Sequence, residues 1–120
     1  MGEYKLAEVE ERFAELIWQS EPISSTDLVK LCERELNWKK STTYTVLKKL
    51  CQKGIFQNEN AIVTAKMSQE EFYGVQSRRY VEDVFAGSLP RFLAAFYNGK
   101  RLSAQEADEM RKFIDSCTEE

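Results

Sequence analysis

Between Trp38 and Phe56 the chain reads WKKSTTYTVLKKLCQKGIF, which sets five lysines among short hydroxyl side chains with no acidic residue from Leu36 to Asn58. Lysine ammonium groups neutralise phosphates, and serine, threonine and tyrosine hydroxyls exchange hydrogen bonds with base edges, so the mixture suits double-stranded DNA. On a helix, Thr43, Val46, Leu47 and Leu50 fall on one face, leaving Ser41, Thr42, Tyr44, Thr45, Lys48, Lys49 and Gln52 for the other. The expected roles divide accordingly. Lys39, Lys40, Lys48, Lys49 and Lys53 hold phosphates without selecting sequence. Thr42, Tyr44 and Thr45, with Ser41 as a lesser candidate, face base edges from the first two turns. A lysine-rich face is more often just a solvated one, so the flanking elements carry the decision.

Other chemistries are poorly served. The chain has no histidine, which removes the commonest general base at neutral pH and the commonest transition-metal ligand. No enzyme activity, cofactor or metal is expected. Cys32, Cys51 and Cys117 are too few and too unevenly spaced for a disulfide framework and fit a reducing compartment. Lysines near Cys51 could lower its pKa, but its place towards the core side of the helix reads as packing. The net charge of -3 argues against a general nucleic-acid coat, yet the charge is uneven. Residues 1 to 38 hold nine acids against four bases, and residues 39 to 66 hold six bases against one acid, so the basic signal is local. With no apolar run near the 18 residues of a bilayer span and no secretory leader, the expectation is a soluble, cytoplasmic protein without a membrane.

The elements that must position the basic stretch can be read in turn. Leu6, Val9, Phe13, Leu16 and Ile17 recur at helical steps and predict a first helix from about Leu6 to Ser20. Glu21-Pro22 breaks it. Ser24 and Asp27, at capping-box spacing, start a second helix that carries Leu28, Val29, Leu31 and Cys32 and ends near Leu36. A few residues then lead into the basic helix, which Gly54 closes in the left-handed conformation, with Ile55 folding back on Leu50. Three helices on short links make a helix-turn-helix. Ile55-Phe56, a polar tip Gln57 to Asn60 and the β-prone run Ala61 to Ala65 predict a hairpin beside it, which is a wing. The tip carries an acid and no base.

Ser68 and Glu71 cap a fourth helix reaching about Phe85, Gly87 ends it, a short helix with Pro90 in its first turn spans about Leu89 to Tyr97, and Ser103 with Glu106 caps the last. These helices are too few to bury their own apolar residues. Phe72, Val81, Val84, Phe85, Leu89, Phe92, Leu93, Phe96, Phe113 and Ile114 are therefore expected to meet a second copy of the chain. The fold class is mainly α with a small β-hairpin wing. An N-terminal winged helix-turn-helix, residues 1–67, is followed by a C-terminal helical dimerisation region, residues 68–120.

These residues resemble the penicillinase-repressor family. The resemblance runs through Glu10, Ile17-Trp18, Ile23-Ser24, Trp38, Thr42, Thr45, Leu47, Leu50 and Lys53-Gly54. It continues past the wing through Phe72, Val75, Ser77, Phe85, Gly87, Leu89, Phe96, Leu102-Ser103 and Glu106, and so covers nearly the whole chain. It implies a homodimer that represses transcription, binding a palindromic operator through its winged helices while its C-terminal helices interlock. The chain also departs from the family. Glu59-Asn60-Ala61 stands where a Gly-Arg pair is usual in the wing, so no wing contact is implied. Lys39-Lys40 stands where some relatives open the third helix with Ser-Pro, which shifts the cap to Ser41 or leaves the helix uncapped. Ala95-Phe96 replaces the Asn-Phe bond cut in antibiotic-responsive members, and Cys117 stands without the paired cysteines of copper-responsive ones. Neither mode of induction is supported. A second functional reading, encouraged by the acidic charge and the base-free wing, is a winged-helix module that binds a protein partner.

Overall fold

A computed structural model describes residues 6–118, in the order α1 (Glu8–Ser20), β1 (Ile23–Ser24), α2 (Ser25–Leu36), α3 (Lys40–Gln52), β2 (Phe56–Glu59), β3 (Ile62–Ala65), α4 (Gln69–Phe85), α5 (Leu89–Phe96) and α6 (Ala104–Cys117). Six helices and one small antiparallel sheet make a mostly helical winged-helix fold among the described residues. The chain divides into two compact units, Met1–Tyr80 and Val81–Glu120.

The first unit is built on one core. Phe13, Ala14, Leu16 and Ile17 of α1 meet Leu28 and Cys32 of α2, Leu47 and Leu50 of α3, and Ile55, Phe56 and Val63 of the wing. The helical steps read in the sequence are thus the buried faces. Ser24 Oγ accepts the Asp27 amide at 3.0 Å and starts α2. Asn37 ends α2 in the left-handed conformation, φ 56°, and the Trp38 amide donates back to the Cys32 carbonyl at 3.3 Å. Trp38 then lays its ring 5.2 Å from that of Phe13, which fixes where α3 begins.

In the bounds and pairing of its elements the structure differs from the sequence expectation at three places. α1 starts at Glu8 rather than near Leu6, because Glu10 Oε1 accepts the Ala7 amide at 3.1 Å and sets the first turn there. The wing tip is shorter than the expected four residues. Strand pairing continues to Glu59 opposite Ile62, so only Asn60 and Ala61 turn the chain, at φ 53° and 62°. Two positive φ values in a two-residue loop make the turn whose twist matches the flanking strands. Alanine rarely adopts that conformation, and here the Ser25 amide, donating to the Ala61 carbonyl at 2.8 Å, holds it. Third, Ile23 and Ser24 form a strand of their own, paired antiparallel with Val63 and Ile62, so the sheet runs β1-β3-β2.

α4 opens with the reciprocal cap expected of it: Ser68 Oγ accepts the Glu71 amide at 3.1 Å and Glu71 Oε1 accepts the Ser68 amide at 2.9 Å. Those bonds hold the Glu71 carboxyl below its ordinary pKa. Phe72, one residue on, is fully buried, with its ring 5.5 Å from that of Trp18, whose indole N–H donates to the Met67 carbonyl at 2.9 Å. Phe72 is thereby corrected from the dimerisation set. It seals the core of the first unit and presents no surface to a second chain. This packing also extends the first compact unit beyond residue 67, where the sequence reading ended the N-terminal domain.

In the second unit Ala86 and Gly87 both take the left-handed conformation, and the Gly87 amide donates to the Val81 carbonyl at 3.0 Å, closing α4. Ser88 caps α5, which carries Pro90 in its first turn, and Ser103 caps α6. Phe85, Phe92, Phe96 and Tyr97 form a run of ring contacts at 5.6, 6.0 and 4.9 Å. None of the described residues from Val81 to Thr118 is buried. Val81, Phe85, Phe92 and Leu93 are half-buried, while Val84, Leu89, Phe96, Phe113 and Ile114 are exposed, Phe96 by 64% and Phe113 by 68%.

Candidate nucleic-acid interface

α3 carries the candidate site, and its inner face fixes its outer one. Thr43, Leu47 and Leu50 are buried at three- and four-residue steps, which leaves Ser41, Thr42, Thr45, Lys48, Lys49 and Gln52 exposed. Lys39 and Lys40 are exposed at the start of the helix. No side chain caps that end: Ser41 lies inside the first turn, and the cap position falls to Lys39. Of the two starts left open by the sequence, the uncapped one is found. Uncapped first-turn amides beside two lysines make a positive end that favours an anion. At the other end Gly54, φ +83°, closes the helix, and Lys53 is half-buried beside it.

The hydroxyls are not equivalent. Thr45 Oγ1 donates to the Ser41 carbonyl at 2.9 Å, so its proton is committed to the helix and its lone pairs and methyl group face outward. A threonine held in this way offers an acceptor to a base amino group or an apolar contact to a thymine methyl. Tyr44 is half-buried, with its ring packed against the core cluster. Thr43, on the inner face, has a buried Oγ1 with no hydrogen-bond partner of proper geometry, beside the Cys32 thiol.

Lys49 differs from the other lysines. Its Nζ lies 2.5 Å from Glu10 Oε2, and this ion pair, with Lys53 adding to the positive field, holds the Glu10 carboxyl below its ordinary pKa. The sequence reading put Lys49 among the phosphate contacts and had no signal for this pairing, because Glu10 lies 39 residues away. Burial pushes both the Cys32 and Cys51 thiols up, more than Lys66 draws Cys51 down, so neither is an activated nucleophile. The turn residues Asn60 and Ala61 and the strand end Asn58-Glu59 before them are exposed, and they carry one acid and no base.

A sequence model of the penicillinase repressor family matches residues 6–116. The chain belongs to that family. As a penicillinase repressor family member it is a regulatory DNA-binding protein rather than an enzyme. It is similar to the methicillin resistance regulatory protein MecI of Staphylococcus aureus (strain Mu50 / ATCC 700699), with 20% identity over 116 residues, covering 93% of this chain and 94% of the relative. Among the described residues of this family member, no helix is long and apolar enough to cross a membrane, and no group of three or more histidine, cysteine or acidic side chains could hold a metal ion.

Proposed function

We propose that the protein acts in the cytoplasm as a homodimeric repressor that binds a palindromic operator through α3. The observation that carries the reading is the outer face of α3, where lysines and hydroxyls are exposed without an acidic residue on a helix whose other face is locked in the core. In this reading Lys39, Lys40 and Lys48 hold phosphates together with Lys53, and Ser41, Thr42 and Thr45 meet base edges in the major groove, while Tyr44 is held against the core beside them. The wing contributes no cation at its tip.

The dimer is supported by the second unit. A stretch from Val81 to Thr118 with no buried residue and with Val84, Leu89, Phe96, Phe113 and Ile114 exposed holds more apolar surface than a lone chain leaves in water, and a two-fold partner offering the same face covers it. A two-fold dimer sets its two recognition helices one DNA turn, about 10 bp, or a multiple of it apart.

Selection of bound fragments from genomic DNA, followed by titration of the recovered site at several salt concentrations, tests the proposal. A palindrome should emerge, and the affinity should fall steeply with salt. Replacing Lys39, Lys40 and Lys48 with alanine should flatten the slope by about 0.9 for each phosphate that no longer meets a lysine. Recovery of no common site, with binding indifferent to salt, would leave the protein-partner module as the better description.

A further inference from the structure

The ion pair between Glu10 and Lys49 links the first turn of α1 to the outer side of α3, and the two partners are unequally exposed. The Glu10 side chain is 12% exposed and the Lys49 side chain 51%. Both carboxylate oxygens are engaged, Oε1 by the Ala7 amide at 3.1 Å and Oε2 by Lys49 Nζ at 2.5 Å. Glu10 therefore cannot follow Lys49 outward without uncapping α1. A carboxylate covered by its neighbours loses a favourable partner when its cation leaves, and a phosphate drawn to Lys49 would approach that carboxylate as a like charge. Lys49 also sits on a particular flank of α3, two turns from Thr42 and one from Lys53, whereas Lys48 lies on the neighbouring flank and forms no ion pair among the described residues.

We infer that Glu10 is a positioning residue for DNA binding: it withdraws Lys49 from the phosphate contacts and uses it to fasten α3 to α1, so that the duplex meets Lys48 on this part of the helix and not Lys49. The inference rests on the DNA-binding reading above. It means that adjacent, chemically identical lysines have different work. Lys48 adds to the counterion release that accompanies binding, and Lys49 does not.

The test is the salt dependence of binding to a fluorescein-labelled duplex of arbitrary sequence, measured on the full chain by anisotropy. Lys48→Ala should lower the slope of log affinity against log salt by about 0.9 per protomer, and Lys49→Ala should leave it unchanged. Glu10→Gln frees Lys49 and should steepen the slope by about 0.9 per protomer. The double variant Glu10→Gln, Lys49→Ala should return to the original slope, because the steepening belongs to the freed lysine and not to the missing acid. A merely structural role for Glu10 would weaken binding without steepening it. The inference is overturned if Lys49→Ala flattens the slope as much as Lys48→Ala, or if the double variant stays as steep as Glu10→Gln. An original protein that shows no salt-dependent binding overturns the DNA reading as well, whereas a steep original slope with an unaltered Glu10→Gln overturns the positioning role alone. Were Glu10→Gln not to fold, the Lys48→Ala and Lys49→Ala pair still decides the matter.

Discussion

Replacing Phe72 with alanine should damage the fold itself, and replacing Phe96 should damage only association. Phe72 is fully buried, with its ring 5.5 Å from Trp18 and 5.9 Å from Tyr73. Deleting a buried phenylalanine ring costs about 3 to 5 kcal/mol, because transfer energy is forfeited and the rigid neighbours leave a cavity. A unit of this size holds roughly 4 to 12 kcal/mol in total, so Phe72→Ala should remove about a quarter of it or more. Phe96 is 64% exposed, and its truncation should cost the separate chain under about 0.5 kcal/mol. Urea denaturation followed by tryptophan fluorescence is well suited, since Trp18 reports on the pocket that Phe72 fills. Measured at two protein concentrations, Phe72→Ala should show the same loss at both. Phe96→Ala should show a loss that depends on concentration, as mass action requires when a mutation weakens a dimer. A loss below about 1.5 kcal/mol for Phe72→Ala would refute the core assignment. Phe96→Ala indistinguishable from the original protein at both concentrations would refute the interface.

Three further outcomes follow from individual side chains. Thr45→Val keeps the outward methyl and removes the acceptor, so it should relax operator preference at one base pair by about 1 to 3 kcal/mol if that pair presents an amino group, and an unaltered binding-site profile would remove Thr45 from the reading set. The depressed pKa of Glu10 means that its contribution to stability is complete above the ordinary glutamate pKa and disappears as pH falls through the lower folded value. The stability difference between the original protein and Glu10→Gln should accordingly be constant near neutrality and shrink below about pH 4.3, and urea midpoints whose difference does not change with acid would contradict the pairing. Thr43→Val removes a buried hydroxyl without a partner and keeps the branched shape, so the midpoint should rise by about 1 kcal/mol of stability; a fall would mean that the hydroxyl is satisfied by the Cys32 thiol after all.

What the sequence makes legible is whatever repeats locally. The buried steps of α1 and α3, the Ser24, Ser68 and Ser103 caps and the closing role of Gly54 all lie within a few residues of their partners, and period and cap chemistry reveal them. The features that escaped are those joined across the chain. β1 is two residues long, too short for any alternation, and is a strand only because Val63 and Ile62 come back to it. Phe72 lies on the same apolar stripe as Val81, Val84 and Phe85, and periodicity cannot tell that the start of the stripe meets Trp18. Glu10 resembles every other acid in a helical first turn until Lys49 is seen beside it. At the candidate site most of the outer face of α3 could be read from spacing, but the half-buried place of Tyr44, the engagement of Lys49 and the committed proton of Thr45 could not.

Ser24 closes a strand and opens a helix at the same time: it pairs with Ile62 in the sheet, and its hydroxyl begins α2. The wing and the helix pair it flanks thus share a residue, and the Ser25 amide fastens the tip of the turn to the same spot. For anyone wishing to exchange the binding preference of this protein with that of a relative, the consequence is one of graft boundaries. Moving residues 56 to 65 alone would leave the transplanted hairpin without its third strand and the host helix with a start shaped for a different hairpin. The smallest piece that keeps the three strands, the α2 cap, the Ala65 amide on Glu21 Oε1 and the Lys66 and Met67 amides on the Ile55 carbonyl begins at Glu21 and runs to Met67.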